Sequence, residues 1–299
     1  ILVFNYCYHG SVDETFITMD EEGTPMSRPN NMGPQIDPRE TSKVIEFNDI
    51  AALETALSAR DVAAVLAEPV MTNIGIIHPN PGYHEALREL TRKYGTYLII
   101  DETHTICTGP GGYTASHGLQ PDFLTLGKPL AGGVPAAIYG FTKEVSQAFT
   151  AKLSVEDSDV GGIGGTLAGN ALSIAAMKAT LQNVLTEEFY AKATILQEQF
   201  TAGVESVIKE FELPWIVKQL GNRSEYWFRP NPPKNGGEAH AAIDPELDRY
   251  MHLFALNRGI LMTPFHNMAL ISPETTQADV DYHTKVFREA VQSLFAPLA

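Results

Sequence analysis

The chain has 299 residues, 44% apolar and 19% charged, enough for one large core or two modest ones, which excludes a disulfide-held miniprotein and a disordered tail. Asp plus Glu number 36 against 21 Lys plus Arg, a formal charge of -15, and no stretch gathers the basic side chains into the stripe that a phosphate backbone requires, so nucleic acid is excluded as a partner. Cys7 and Cys107 are too few for a disulfide framework and no apolar run reaches the ~20 residues of a membrane helix, so the expectation is a cytoplasmic protein with no membrane partner.

The chain begins Ile1-Leu2-Val3-Phe4, with no initiator Met and no signal-peptide pattern, and reads as if entered inside a strand. Five β-rich runs then end abruptly at polar or glycine-containing residues: 1–4 before Asn5-Tyr6-Cys7-Tyr8-His9-Gly10, 62–67 before Glu68-Pro69, 97–100 before Asp101-Glu102, 123–126 before Gly127-Lys128, and 136–139 before Gly140. Continuous rather than alternating apolar character predicts strands buried on both faces, as in a parallel sheet covered by helices. Between the second and third runs, Asn80-Pro81 offers an N-cap and a first-turn proline. Tyr83, Ala86, Leu87, Leu90 and Tyr94 recur at helical spacing, and Gly95 supplies the stop. Strand alternating with helix is α/β architecture, in which the site lies beyond the carboxyl ends of the strands. Glu68, Asp101 and Lys128 are therefore expected to converge.

Further along, the glycine-rich residues 157–165 read as a flexible loop, and an Ala/Leu-rich helix over 170–185 is expected to pack closely in a core. Phe189, Ala193, Leu196, Phe200, Val204, Val207 and Phe211 mark one face of a second helix. Beyond Pro214 the pattern predicts a strand over 225–228, a Pro/Gly loop over 229–237, a helix over 245–256, strands near 260–262 and 268–271, and a closing helix capped by Thr276 and Asp279. The organisation expected is a large domain over 1–186 and a smaller α+β domain over 187–299.

Lys128 follows a strand between Gly127 and Pro129, with Gly132-Gly133 beyond, which leaves backbone room around an amine at a sheet edge. Partial burial lowers the pKa of such an amine and equips it to form a Schiff base with a carbonyl compound; the bland alternative is a solvated surface lysine. Asp101 ends a buried strand and needs a partner, either a protonated pyridine nitrogen or a structural salt bridge or helix cap. Read as metal ligands, Glu68, Asp101, His104 and His117 match no zinc spacing, so no metal is expected. Cys7 with His9 makes no complete Cys/His nucleophile, and Cys107 reads as a small buried side chain. The glycines of 109–112 and 161–165 lack Walker or dinucleotide contexts, whereas Thr166 can offer a hydroxyl and an N–H to a phosphate where a helix begins.

Tyr8-His9-Gly10, Glu68-Pro69-Val70, Asp101-Glu102-Thr103-His104-Thr105, Pro121-Asp122-Phe123-Leu124-Thr125-Leu126-Gly127-Lys128 and Gly165-Thr166-Leu167-Ala168-Gly169-Asn170 occur in an order and spacing that resembles class III aminotransferases of pyridoxal-phosphate fold type I. The likeness is greatest to the glutamate-1-semialdehyde aminomutase-like branch. It implies that α/β fold, a mostly parallel sheet covered by helices with a smaller α+β C-terminal domain, and pyridoxal 5'-phosphate as cofactor. Lys128 would carry the cofactor as a Schiff base and shuttle the proton between the substrate's α-carbon and the cofactor. Asp101 would bind the pyridinium nitrogen, Tyr8 and Thr103 would cover the two ring faces, His104 would stand near the phenolic oxygen, and His9 and Gly10 belong to the same cofactor-binding motif. Thr103 departs from the family, where Val, Ile or Ala is commoner.

By the same resemblance Thr166 would reach the phosphate of a neighbouring subunit's cofactor, which implies a homodimer with shared active sites. Asn73, where ornithine-type members carry a gating Glu, and Glu68 are the substrate-facing candidates. The implied activity moves an amino group from a small-molecule amine or amino acid donor to a keto acid or aldehyde acceptor. An intramolecular aminomutase or racemase is the alternative, and an inactive fragment or interaction module a further one. The last is motivated by the start at Ile1, because the family's glycine- and hydroxyl-rich phosphate cup normally precedes the Tyr-His-Gly strand. Late in the chain, His266-Asn267-Met268-Ala269-Leu270 offers no Arg for a substrate carboxylate, which leaves Arg229 as the substitute.

Overall fold

The computed structural model describes residues 1–33, 36–152, 164–263 and 266–295. Its main sheet is assembled from β1 (Leu2–Phe4), β4 (Lys43–Ile45), β5 (Ala64–Ala67), β6 (Tyr97–Asp101), β7 (Phe123–Leu126) and β8 (Ile138–Phe141), in the order β4-β1-β5-β6-β7-β8. A separate hairpin joins β2 (Ile17–Met19) to β3 (Pro25–Ser27). Every neighbouring pair in the main sheet is parallel except β7 with β8. The runs read as strands are strands, and their mostly parallel arrangement is as expected.

The fifth run differs. It crosses Gly140 to Phe141, runs antiparallel, and is exposed at all its residues rather than buried on both faces. It is the outermost described strand, with β7 as its one neighbour, and its Phe141 ring meets Phe123 edge-on at 5.9 Å. β4 escapes sequence reading because it is three residues long and begins at Lys43, whose ammonium reaches Asp61 at 2.5 Å.

Helices α1 (Ile50–Ser58) and α2 (Tyr83–Tyr94) cover this sheet. The start of α2 lies later than expected, with left-handed Gly82 at the N-cap and no side-chain cap. Gly95, left-handed at φ 74°, ends it as read, its N–H donating to the carbonyls of Arg92 and Thr91. Leu2, Phe4, Phe47, Leu53, Leu57, Tyr83, Leu87 and Ile100 form the core between them, each burial worth about 1.5–3 kcal/mol. α3 (Gly112–Ser116) and α4 (Lys143–Lys152) complete this half.

The helix α5 (Ala171–Asn183), capped by the Asn170 side chain, lies within the expected span 170–185, but it does not pack in a core. Of its side chains only Thr180 is buried, while Leu172 is 70% exposed. Its apolar residues are spread around the helix instead of forming a stripe, so one neighbour cannot cover them.

The long α6 (Glu187–Glu210) buries Ala193, Leu196, Phe200, Val204 and Val207 of the face read from the sequence, while Phe189 is half-buried and Phe211 is the half-buried C-cap. That face packs on an antiparallel sheet ordered β11-β10-β9, built from β9 (Ile216–Leu220), β10 (Arg223–Trp227) and β11 (Met268–Leu270). β9 was not anticipated, β10 starts two residues before the expected strand at 225, and residues 260–262 form no strand. Short α7 (Gly236–His240) interrupts the expected Pro/Gly loop, and α8 (Pro245–Leu256) has the expected bounds. α9 (Gln277–Leu294) carries the anticipated capping box, with Thr276 and Asp279 bonding reciprocally. A second core gathers Phe200, Trp215, Tyr226, Val280 and Phe287. Residues 153–163, with most of the glycine-rich loop, lie outside the described residues. Among the described residues no helix is long and apolar enough to cross a membrane.

Candidate active site

The carboxyl ends of β1, β5, β6 and β7 bring Tyr8, His9, Glu68, Asp101 and Lys128 to one side of the sheet, as the parallel topology requires. Lys128 opens a short 3-10 turn over Lys128–Ala131 and has a left-handed φ of 43°. A non-glycine residue held there is strained by about 1–3 kcal/mol, and such strain gathers at functional positions. Pro129 contributes, since its ring disfavours the right-handed helical region for the residue before it. Lys128 is exposed to the crevice, and its Nζ lies 2.5 Å from Nε2 of His104. Lost hydration lowers the pKa of the amine; the Glu68 and Asp101 carboxylates oppose this and Arg223 reinforces it.

Asp101 and Glu102 point to different sides. Asp101 accepts a 2.9 Å hydrogen bond from the Thr103 N–H on Oδ1, and its Oδ2 lies 2.8 Å from Nδ1 of His9. Burial works against the charge of Asp101, but His9 and Thr103 outweigh it and hold the carboxyl below its usual range. Burial also works against a charged His9, and the Cys7 and Asp101 side chains hold its pKa up at about 10. The two form a buried ion pair.

Glu102 instead caps α3, accepting from the N–H groups of Tyr113 at 3.1 Å and Thr114 at 2.5 Å and from the Thr105 hydroxyl. Gly112 is required beside it, because at φ 64° a Cβ would stand 2.5 Å from Oε2 of Glu102. Glu68 is buried with the Thr72 hydroxyl donating to it, and burial pushes its pKa up.

Tyr8 is 38% exposed, with Phe16 at 6.3 Å as its aromatic neighbour. Gly10 turns the chain away at φ 90°. Thr103 meets Asp101 through its backbone N–H. His104 sits between Lys128 and Arg223, and the Arg223 NH1 donates to its Nδ1 at 2.8 Å; burial first, then the Arg223 and Lys128 side chains, lower its pKa to about 3. Asn73 donates to the Tyr6 carbonyl at 3.0 Å and lines a cavity of about 280 Å³ with Glu225, Asp248 and His266. Thr166 is exposed, and no hydrogen bond, ion pair or ring contact among the described residues joins it to the crevice.

A larger cavity of about 600 Å³ opens beside Lys128 and His104, walled by Phe189, Tyr190, Met268 and Ile271 and reaching Arg223. Cys107 on its wall is a structural thiol, donating to the Leu220 carbonyl at 3.3 Å and pushed by burial to about 12. His117 stacks on Tyr113 at 3.6 Å, and among the described residues no group of His, Cys, Asp and Glu is arranged to hold a metal ion.

Arg223 was missed by sequence reading. The signal was there in the alternation Arg223-Ser224-Glu225, which puts two opposite charges on one face of a strand whose residues are all buried. Arg229, the candidate for a substrate carboxylate, donates to the Glu238 carbonyl of α7 at 3.1 Å.

A sheet of this topology with a strained lysine after β7 and an ion-paired aspartate ending β6 defines a class of protein. The family model for class-III aminotransferases matches residues 1–290, and the chain belongs to that family. A glutamate-1-semialdehyde 2,1-aminomutase of Neisseria meningitidis serogroup C is 30% identical over 99% of this chain and 69% of its own length. Among solved structures, a variant glutamate-1-semialdehyde-aminomutase from Pseudomonas aeruginosa PAO1 in complex with PMP superposes with a TM-score of 0.95 at 46% identity, covering 98% of this chain. An omega-transaminase from Sphaerobacter thermophilus gives 0.86 at 28% identity, covering 98% of this chain and 68% of that one. The chain spans 66% of the length of the Pseudomonas structure.

Proposed function

We propose that the protein is a pyridoxal-phosphate-dependent aminotransferase, moving an amino group between a small amine or amino acid and a keto acid or aldehyde. The observation that carries this is one crevice holding the strained Lys128 after β7 and a buried Asp101 ending β6, its Oδ2 2.8 Å from Nδ1 of His9. These groups fit the cofactor's two chemical ends, an aldehyde that an amine attacks and a basic ring nitrogen that a carboxylate keeps protonated. When bound, the cofactor supplies a ring that draws off the electron pair of a breaking substrate bond.

The chain's own residues do the rest. Lys128 offers an amine of lowered pKa that, once deprotonated, is both nucleophile and base, able to take a proton at Nζ and return it. His9 supplies the charge that keeps Asp101 from being protonated in its buried setting. The Thr103 N–H orients the carboxylate. Tyr8 offers an open aromatic face, and Glu68 and Asn73 are proposed to face the substrate. Thr166 is proposed to serve the crevice of a second copy, making the assembly a homodimer with shared sites. The second core, drawn wholly from residues after 187, supports a division near residues 186 and 187, although Trp227 and Ala239 join the first core; the buried free thiols of Cys7 and Cys107 support a cytoplasmic setting.

Added pyridoxal phosphate should give a visible absorption band that borohydride abolishes and that Lys128→Ala lacks. No band in the unaltered chain would end the proposal. An intramolecular aminomutase is the second reading, supported by the names of the Neisseria and Pseudomonas relatives. Incubation with an amine and pyruvate separates the two, since a transaminase makes alanine and an aminomutase does not.

A further inference from the structure

Lys128 and His104 stand beyond the carboxyl ends of β7 and β6, inner strands of the main sheet, whereas Arg223 comes from β10 in the second sheet. Arg223 is 2% exposed, and its guanidinium faces three acceptors. NH1 donates to Nδ1 of His104 at 2.8 Å, and NH2 donates to the Thr72 carbonyl at 2.8 Å and to Oε2 of Glu225 at 3.2 Å. Glu225 is itself held by Nδ1 of His266 at 3.0 Å. A guanidinium has donors only and stays protonated in proteins, so the histidine atom it faces must accept. Nδ1 of His104 therefore carries no proton.

The one ring proton of a neutral imidazole then sits on Nε2, 2.5 Å from Nζ of Lys128. An ammonium there would set N–H against N–H, so the amine has to present its lone pair. We propose that Arg223 is a positioning residue for Lys128: by donating to Nδ1 it fixes the Nε2–H tautomer of His104, and that tautomer holds the Lys128 amine as an uncharged acceptor. The inference deepens the reading of Lys128 as the reactive amine and rests on it for its purpose, though not for its chemistry.

The other groups facing this relay are accounted for. Glu68 and Asp101 favour a charged lysine and Arg223 opposes it. Asp101 favours a charged His104, while Arg223, Lys128 and His266 oppose it, and burial disfavours charge on both side chains. Because Arg223 belongs to the second sheet, the lysine is primed only while that sheet is seated. If β10 withdrew, Nδ1 would be free to take the proton, and Nε2 would become an acceptor that favours an ammonium.

The test uses the 299-residue chain without added cofactor. Labelled with nitrogen-15 in histidine, it should show His104, assigned through His104→Gln, as the neutral Nε2–H tautomer near neutral pH. Carbon-13 at the lysine side chains should show Lys128, assigned through Lys128→Ala, titrating below the other lysines. The paired change Arg223→Met with Glu225→Leu removes the donor without stranding a buried carboxylate. It should mix the tautomers and raise the Lys128 titration by about one pH unit, a tenfold change in proton affinity. An Nδ1–H or charged His104 in the unaltered chain would overturn the proposal even if the double variant failed to fold. So would an unmoved Lys128 titration in a folded double variant. A chain that binds no cofactor leaves both measurements intact, so the two readings fail separately.

Discussion

His9 and Asp101 stabilise each other because each is buried where its charge alone would be costly. The pH dependence follows from the two shifts. His9 is raised from its ordinary 6.5 to about 10, so its contribution is complete below 6.5 and is lost as pH climbs through 10. Asp101 is lowered from 3.8, so its contribution is complete above 3.8 and is lost as pH falls through the folded value. Urea unfolding at a series of pH values should therefore show stability declining between 6.5 and 10, with a shallower decline in His9→Gln. An identical alkaline slope in that variant would refute the assignment. Sequence reading reached Asp101 because a carboxylate ending an apolar strand demands a partner. It could not name His9 as that partner, which lies 92 positions earlier in the chain.

The β9–β10 hairpin shows how an element delivers a functional side chain. Its turn residue Gly221 is left-handed at φ 56°, and a Cβ there would lie 2.3 Å from the Cys107 carbonyl oxygen. The next residue, Asn222, donates its N–H to that same carbonyl at 3.1 Å, pinning the hairpin against the segment that follows His104. Gly221→Ala should cost about 2 kcal/mol or more in urea unfolding and blur the His104 tautomer, since the turn immediately precedes Arg223. At the far end, Thr276→Ala removes the α9 capping box and should cost about 1 kcal/mol, read by the same unfolding curves. The capping box was legible because it is local, its two residues three apart. The hairpin was not, because Ile216–Leu220 lacks a run of apolar residues and its pairing partner is what makes it a strand.

At the scale of the whole molecule, α5 leaves large apolar side chains uncovered by the rest of the described chain. Leu172, Ile174 and Leu181 are exposed, and Leu167 beside Thr166 is 77% exposed. The proposed homodimer would cover this surface. Sedimentation equilibrium should find a dimer, and Leu172→Glu should shift it toward monomer; a monomeric unaltered chain would contradict the shared-site reading.

The sequence by itself determined the strand ends and what stands on them. Burial on both faces forces an unbroken apolar run, and Glu68, Asp101 and Lys128 are the polar residues at which such runs stop. Only the tertiary structure decided the direction and exposure of β8, the bareness of α5 and the chain from Arg223 through His104 to Lys128. Those depend on which surfaces meet, and the Arg223 contact with His104 joins residues 119 apart, a separation over which local pattern carries no information.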